Sequence, residues 1–208
     1  MAFVRAATAT PAAPVAESRD RLIARLAGED ADDRRRAARA LAKQPDAAEP
    51  LADRLASETD IRVIDALFAS LVDIGGQTVA GLVARFLRSP DAALRGCAVE
   101  ALKSLGGDAI EQLDALLGDA DADVRLLAIE VTRVWAADMA LPRLRRLIET
   151  DPHVNVCAAA VDVATEVGTP ELIPALQELR VRFAGEPFLV FAADIACSRI
   201  NGNSVRGD

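Results

Sequence analysis

The sequence predicts an all-α fold, a right-handed α-solenoid of about six stacked helical hairpins. Three observations lead there. A segment that opens on acidic residues and runs into an Ala/Leu/Val-rich stretch recurs along the 208-residue chain. Within each recurrence the apolar residues follow the i, i+3, i+4, i+7 spacing of a buried helical stripe. Finally, Ala and Leu supply the apolar material, with only six Phe, one Trp and no Tyr, whereas strands favour β-branched and aromatic residues.

The recurrence is clearest at Asp121–Thr132 and at Ser89–Leu102, and looser around Asp30, Thr59, Asp151 and Glu186. Set in register, the anchor of each copy falls at Asp33, Ile61, Leu94, Val124, Val154 and Phe188, spaced 28 to 34 residues apart. Thirty residues suit two helices of three to four turns joined by tight turns. One such hairpin cannot bury its own apolar face, so neighbours must stack.

The second helix of each hairpin starts on carboxylates and prolines: Asp60, Pro90, Asp91, Asp121, Asp123, Pro152 and Pro187. Carboxylates cap free N–H groups and suit the positive end of the helix dipole, while Pro fits the first turn. Its stripe reads Leu94, Cys97, Ala98, Ala101, Leu102 and Leu105 in the third copy, and Val124, Leu127, Ala128, Val131 and Trp135 in the fourth. First helices carry Leu22–Leu26, Leu51–Leu55, Leu82–Leu87, Leu113–Leu117, Leu141–Ile148 and Leu172–Leu179. Gly75, Gly106 and Gly168 are expected to end second helices in a left-handed cap. Residues 1–17, rich in Ala and Pro, read as a flexible leader, 18–200 as the solenoid and 201–208 as a polar tail.

The motif Asp-x-x-Val-Arg-x-x-Ala-x-x-Ala-Leu carries a family resemblance. It is nearly complete at Asp121–Val131 and Asp91–Leu102, and partial at Asp60–Phe68. The chain resembles HEAT-like repeat proteins in their short form, the type named after phycobilisome lyases, over Ser18–Ile200. The resemblance implies that the repeated arginine, at Arg34, Arg62, Arg95 and Arg125, is a structural ladder bonded to acids or carbonyls at the turns; a row of anion-binding arginines is the alternative. It also implies that second helices line the concave face.

Composition narrows the function. A net charge of −8 and a pI near 4.8 work against a nucleic-acid footprint or docking on anionic lipid. No apolar run reaches the length of a bilayer span, and a cytoplasmic location is expected. No phosphate loop, catalytic triad motif or metal-spaced His/Cys set is present, so no cofactor, metal or catalytic residue is expected. Cys97 and Cys157 fall at one repeat position, two repeats apart, and read as small core residues with Cys197. His153 reads as an exposed turn residue, and Trp135 as core or core edge. Asp65 and Asp162 fall on the small-apolar stripe and require a partner there.

An apolar strip of Val63, Val99, Leu126, Ile129, Val156 and Val190 runs across the repeats. It is either a groove for a partner's helix or peptide, or packing between adjacent second helices. The expected function is a non-enzymatic protein-interaction module, an adaptor in a bacterial signalling or assembly complex binding another protein. Accessory work in cofactor attachment or protein maturation is an alternative that the resemblance implies, and a HEAT-like DNA glycosylase a weaker one. The oligomeric state is left open.

Overall fold

A computed structural model describes residues 17–204, and of residues 203 and 204 only the backbone. The expected leader, save Glu17, and the tail beyond Ser204 lie outside the described residues. Six hairpins follow one another: α1 (Arg19–Leu26) with α2 (Ala31–Leu41), α3 (Ala48–Leu55) with α4 (Ile61–Ile74), and α5 (Gly76–Ala84) with α6 (Ala92–Leu105). Then come α7 (Ile110–Leu116) with α8 (Ala122–Thr132), α9 (Ala137–Thr150) with α10 (Val154–Val167), and α11 (Ile173–Arg182) with α12 (Pro187–Ser204). No strand occurs among the described residues. The helix α12 continues through the first four residues of the expected tail.

Two layers result. The second helices pack in sequence, α2 on α4, α4 on α6, α6 on α8, α8 on α10 and α10 on α12; α3, α5 and α7 form a row on the other side, as do α9 and α11. Between the layers lie fully buried leucines and isoleucines, among them Leu41, Leu67, Leu102, Ile129, Ile148 and Leu176. Each such side chain stabilises the fold by about 1.5–3 kcal/mol relative to exposure. Phe68 and Phe86 meet edge to face at 5.7 Å between α4 and the turn after α5.

Capping sets the frame of the second helices. Asp30, Asp60, Asp91 and Asp121 each accept a bond from the N–H two residues on, at 2.8–3.0 Å. The caps satisfy donors that the first helical turn leaves free. In the fifth repeat His153 is the cap residue, and in the sixth the helix follows Glu186. Counted from the cap, positions three, four, seven and eight face inward. In the second repeat these are Val63, Ile64, Leu67 and Phe68, and in the fifth Val156, Cys157, Ala160 and Val161, all buried.

That frame corrects the expected register in three copies. Ile61 and Val154 stand two residues before the buried positions, and Phe188 one residue before Leu189; Ile61 is 50% exposed and Phe188 76%, while Leu189 is buried. The cause is local. In the second copy the dipeptide Ile61-Arg62 imitates the Val-Arg of the motif, but the cap at Asp60 places it in the first turn, facing solvent.

Glycine behaves as expected at two of three helix ends. Gly75 and Gly106 close α4 and α6 with φ of 70° and 55°, a region that costs a β-carbon residue energy. Gly168 ends α10 with φ of −66°, so no left-handed cap forms there. A Cβ on Gly168 would sit 2.6 Å from Ile200 Cδ1 and 2.3 Å from the Ala164 carbonyl oxygen. This glycine lets α12 lie close against α10.

Candidate interaction surface

The ladder is the first place where expected site residues can be located. Arg34 donates to the Gly28 and Glu29 carbonyls at 3.0 and 2.7 Å, and reaches across to Glu58 of the next repeat with Nε and NH2 at 2.7 and 2.9 Å. Arg125 repeats this geometry. It donates to the Asp119 and Ala120 carbonyls at 2.7 and 3.2 Å, and to Asp151 of the next repeat at 2.7 and 3.1 Å. Arg95 makes the carbonyl bonds to Ser89 and Pro90. The acid it would meet, Asp119, is paired with Arg88 instead.

Each ladder arginine is the fourth residue after its cap, and the acid is two residues before the next cap. In the second repeat that arginine position holds Ile64, and the acid position before the third repeat's cap holds Ser89. Arg62 is therefore not a ladder residue. It is exposed and pairs with its own cap, Asp60, and with Asp32. In the fifth repeat Cys157 takes the arginine position, and Arg182 of α11 supplies the guanidinium from the other side. Arg182 NH2 donates to the Ile148 and Asp151 carbonyls at 2.7 and 3.2 Å and lies 3.4 Å from Cys157 Sγ.

These arginines bind protein groups, which leaves no row of free cations for an anion. Burial alone would raise the Glu58 carboxyl. The bonds from Arg34 and the Asp60 N–H, then those from Arg54 and the Thr59 N–H, outweigh it and hold the group at about 2. The same bond to Glu58 raises Arg34.

The expected apolar strip does not form a groove. Val63, Val99, Ile129 and Val156 are buried core residues, and only Leu126 and Val190 are partly exposed. In the cap frame five of the six fall at the inward positions three, four and eight, and only Leu126, at position five, faces outward. The register error also misplaced the two carboxylates. Asp65 and Asp162 are exposed; Asp162 pairs with Arg133, and Asp65 lies 3.9 Å from Cys97 Sγ.

Cys97 and Cys157 occupy different repeat positions, six and four residues past their caps. Cys157 is buried, while Cys97 is only partly so. Cys97 lies in a cleft of about 340 Å³ between α4 and α6 with Asp65, Phe68, Asp73 and Glu100. Burial and the Asp65 charge push its thiol up, away from a reactive thiolate. His153 is exposed, as expected. Trp135 is buried, with the Arg143 guanidinium 5.3 Å from its ring centroid. No group of three metal-ligating side chains occurs among the described residues.

The exposed ridge of the second helices lies elsewhere, at two, five and nine residues past each cap. In repeats one to five these positions hold charged, polar or small residues, such as Arg39, Asp65, Asp123, Glu100 and Asp162, with Leu126 the one large apolar side chain. In the sixth repeat they hold Phe188, Phe191 and Ile195, which are 76%, 64% and 47% exposed. Two of the six phenylalanines thus face solvent on one helix. Sequence reasoning missed this stripe because it took Phe188 as the buried anchor. A signal was present: α12 carries two apolar series, Leu189, Ala193, Ala196, Ile200 and Phe188, Phe191, Ile195, and a core needs only one.

The HEAT-repeat family matches residues 48–133 and 110–182, together more than half of the chain. The chain belongs to the HEAT-repeat family. Among solved structures, it is similar to an archaeal HEAT-like repeats protein from Thermococcus onnurineus NA1, with 14% identity, 88% of this chain and 87% of that one covered, and a TM-score of 0.48. It is also similar to a structure of the CpcE–CpcF complex of phycocyanin lyase from Nostoc sp. PCC7120, at 20% identity, 84% and 74% coverage and a TM-score of 0.44. An engineered protein matches with 18% identity, 88% and 96% coverage and a TM-score of 0.43. A search of curated proteins gave no match. No helix among the described residues is long and apolar enough to cross a membrane.

Proposed function

We propose that this chain is a non-enzymatic protein-interaction module, an adaptor that serves a bacterial signalling or assembly complex. One observation carries the reading. The sixth repeat places Phe188, Phe191 and Ile195 at the solvent-facing positions that earlier repeats fill mainly with charged and small residues. Exposed apolar stripes of this kind mark contact surfaces, and aromatic residues dominate the energetics of protein contacts. The core side of α12 is a separate series, Leu189, Ala193, Ala196 and Ile200, all buried. Accessory work in cofactor attachment and DNA-base excision draw no comparable observation.

A photo-crosslinking residue at position 191, introduced into the full chain in its native cells, tests the reading. A crosslinked polypeptide of defined mass is expected, and it should vanish when Phe188 is changed to Ser. Absence of any crosslinked polypeptide would overturn it.

A further inference from the structure

The stripe on α12 also indicates what covers it. We infer that its occupant is a second copy of this chain, with two α12 helices packed antiparallel about a two-fold axis. The inference rests on the reading of the stripe as a protein contact.

A two-fold contact requires a surface complementary to itself, and α12 has one. An antiparallel pairing sets Phe188 of one copy opposite Ile195 of the other, with the two Phe191 rings near the axis. The charges at the two ends of the stripe then fall into place. Glu186, just before the helix, and Arg199, one turn beyond Ile195, are both exposed. Neither has an ion-pair partner among the described residues. They stand 13 residues apart, about 20 Å along a helix, too far to pair within one chain. In the antiparallel pair each Glu186 comes within about one turn of the other copy's Arg199, at both ends of the contact.

Charge elsewhere favours this face over others. With a net charge of −8, most approaches between two copies are repulsive. On α12 the remaining carboxylate, Asp194, is paired with Arg180 at 2.9 Å, so the stripe and its ends are locally balanced. The area sets the strength. Taking roughly 150–250 Å² for a Phe, the exposed parts of the three side chains amount to about 350 Å². That is below the roughly 800 Å² per partner of a standard interface. The dimer is therefore weak and forms in the micromolar range or above.

Sedimentation equilibrium of the full chain over a wide concentration range is the test. The mass is expected to rise from one chain towards two, and Phe191→Asp should hold it at one chain with an unchanged melting curve. Glu186→Arg or Arg199→Glu alone should weaken the dimer by about three- to tenfold. The double exchange, Glu186→Arg with Arg199→Glu, should restore it, a result that only the antiparallel second copy explains. Removing residues 2–16 should leave the degree of association unchanged. A single-chain mass at every concentration would overturn the inference, as would failure of the double exchange to restore association. So would a dimer that appears only once residues 2–16 are removed, which would make those residues the occupant. A crosslink from position 191 to a different protein, with a monomeric chain, would sink the second copy while keeping the interaction reading.

Discussion

The junction between repeats four and five and the junction between repeats two and three occupy equivalent places and are built differently. At the first, Arg125 ties two carbonyls of its own turn to Asp151 of the next. At the second, Ile64 and Ser89 stand where that pair would be, and Ile64 is buried among apolar neighbours. Arginine and acid are both present or both absent. A buried charge without its partner is costly, while an apolar replacement of both is often neutral. The two junctions are alternative solutions to one packing problem, and a half-solution is the unstable case.

Breaking the pair from one side should have the largest effect. Glu58→Ala strands Arg34 and Arg54 and is expected to cost about 3–5 kcal/mol, read as a shift of the urea midpoint at constant slope. An unchanged midpoint would show that the junction holds without its acid.

Acid should produce a loss of similar kind. The Glu58 carboxyl is lowered from 4.5 to about 2 in the folded chain. Its contribution is complete above pH 4.5 and disappears as the pH falls through about 2. The depression corresponds to on the order of 3 kcal/mol. Denaturation curves taken between those pH values should therefore weaken more steeply for the natural chain than for Glu58→Gln.

Converting one junction into the other sharpens the comparison. Asp151→Ser alone should destabilise by about 2–4 kcal/mol. Adding Arg125→Ile, which copies the second junction, should recover at least half of that loss, measured as a coupling energy in a double-mutant cycle. Strict additivity would mean that the two residues do not act as a pair. The smallest effect belongs to the exposed stripe: Phe188→Ser should change stability by less than about 0.5 kcal/mol.

The layered hairpins were legible in the sequence because a 30-residue period, acidic caps and apolar stripes all agree. The surface was not, and the reason lies in two short stretches. At Asp60-Ile61-Arg62-Val63-Ile64 an apolar–Arg pair precedes the buried Val63-Ile64 by two residues, and only the cap bond that Asp60 accepts from the Arg62 N–H decides between them. At Asp151-Pro152-His153 the carboxylate looks like a cap for α10 but faces Arg125 instead. A slip of two residues rotates a helix by more than half a turn. It exchanged buried Val63 and Val156 with exposed Asp65, and turned core positions into an imagined groove.

The arrangement of arginines also bears on how the chain comes apart. Arg34 crosses the first junction, Arg88 the third, Arg125 the fourth and Arg182 the fifth, whereas the second lacks a ladder arginine and is crossed by the exposed pair of Arg85 with Glu49. Stacked repeats exchange stability only with their neighbours, and the second junction is held by the packing of α4 on α6 and of α3 on α5. A rung lost at one junction should therefore loosen the two repeats it joins before the others. After Glu58→Ala, amides of α2 and α4 should exchange with solvent before those of α8 and α10.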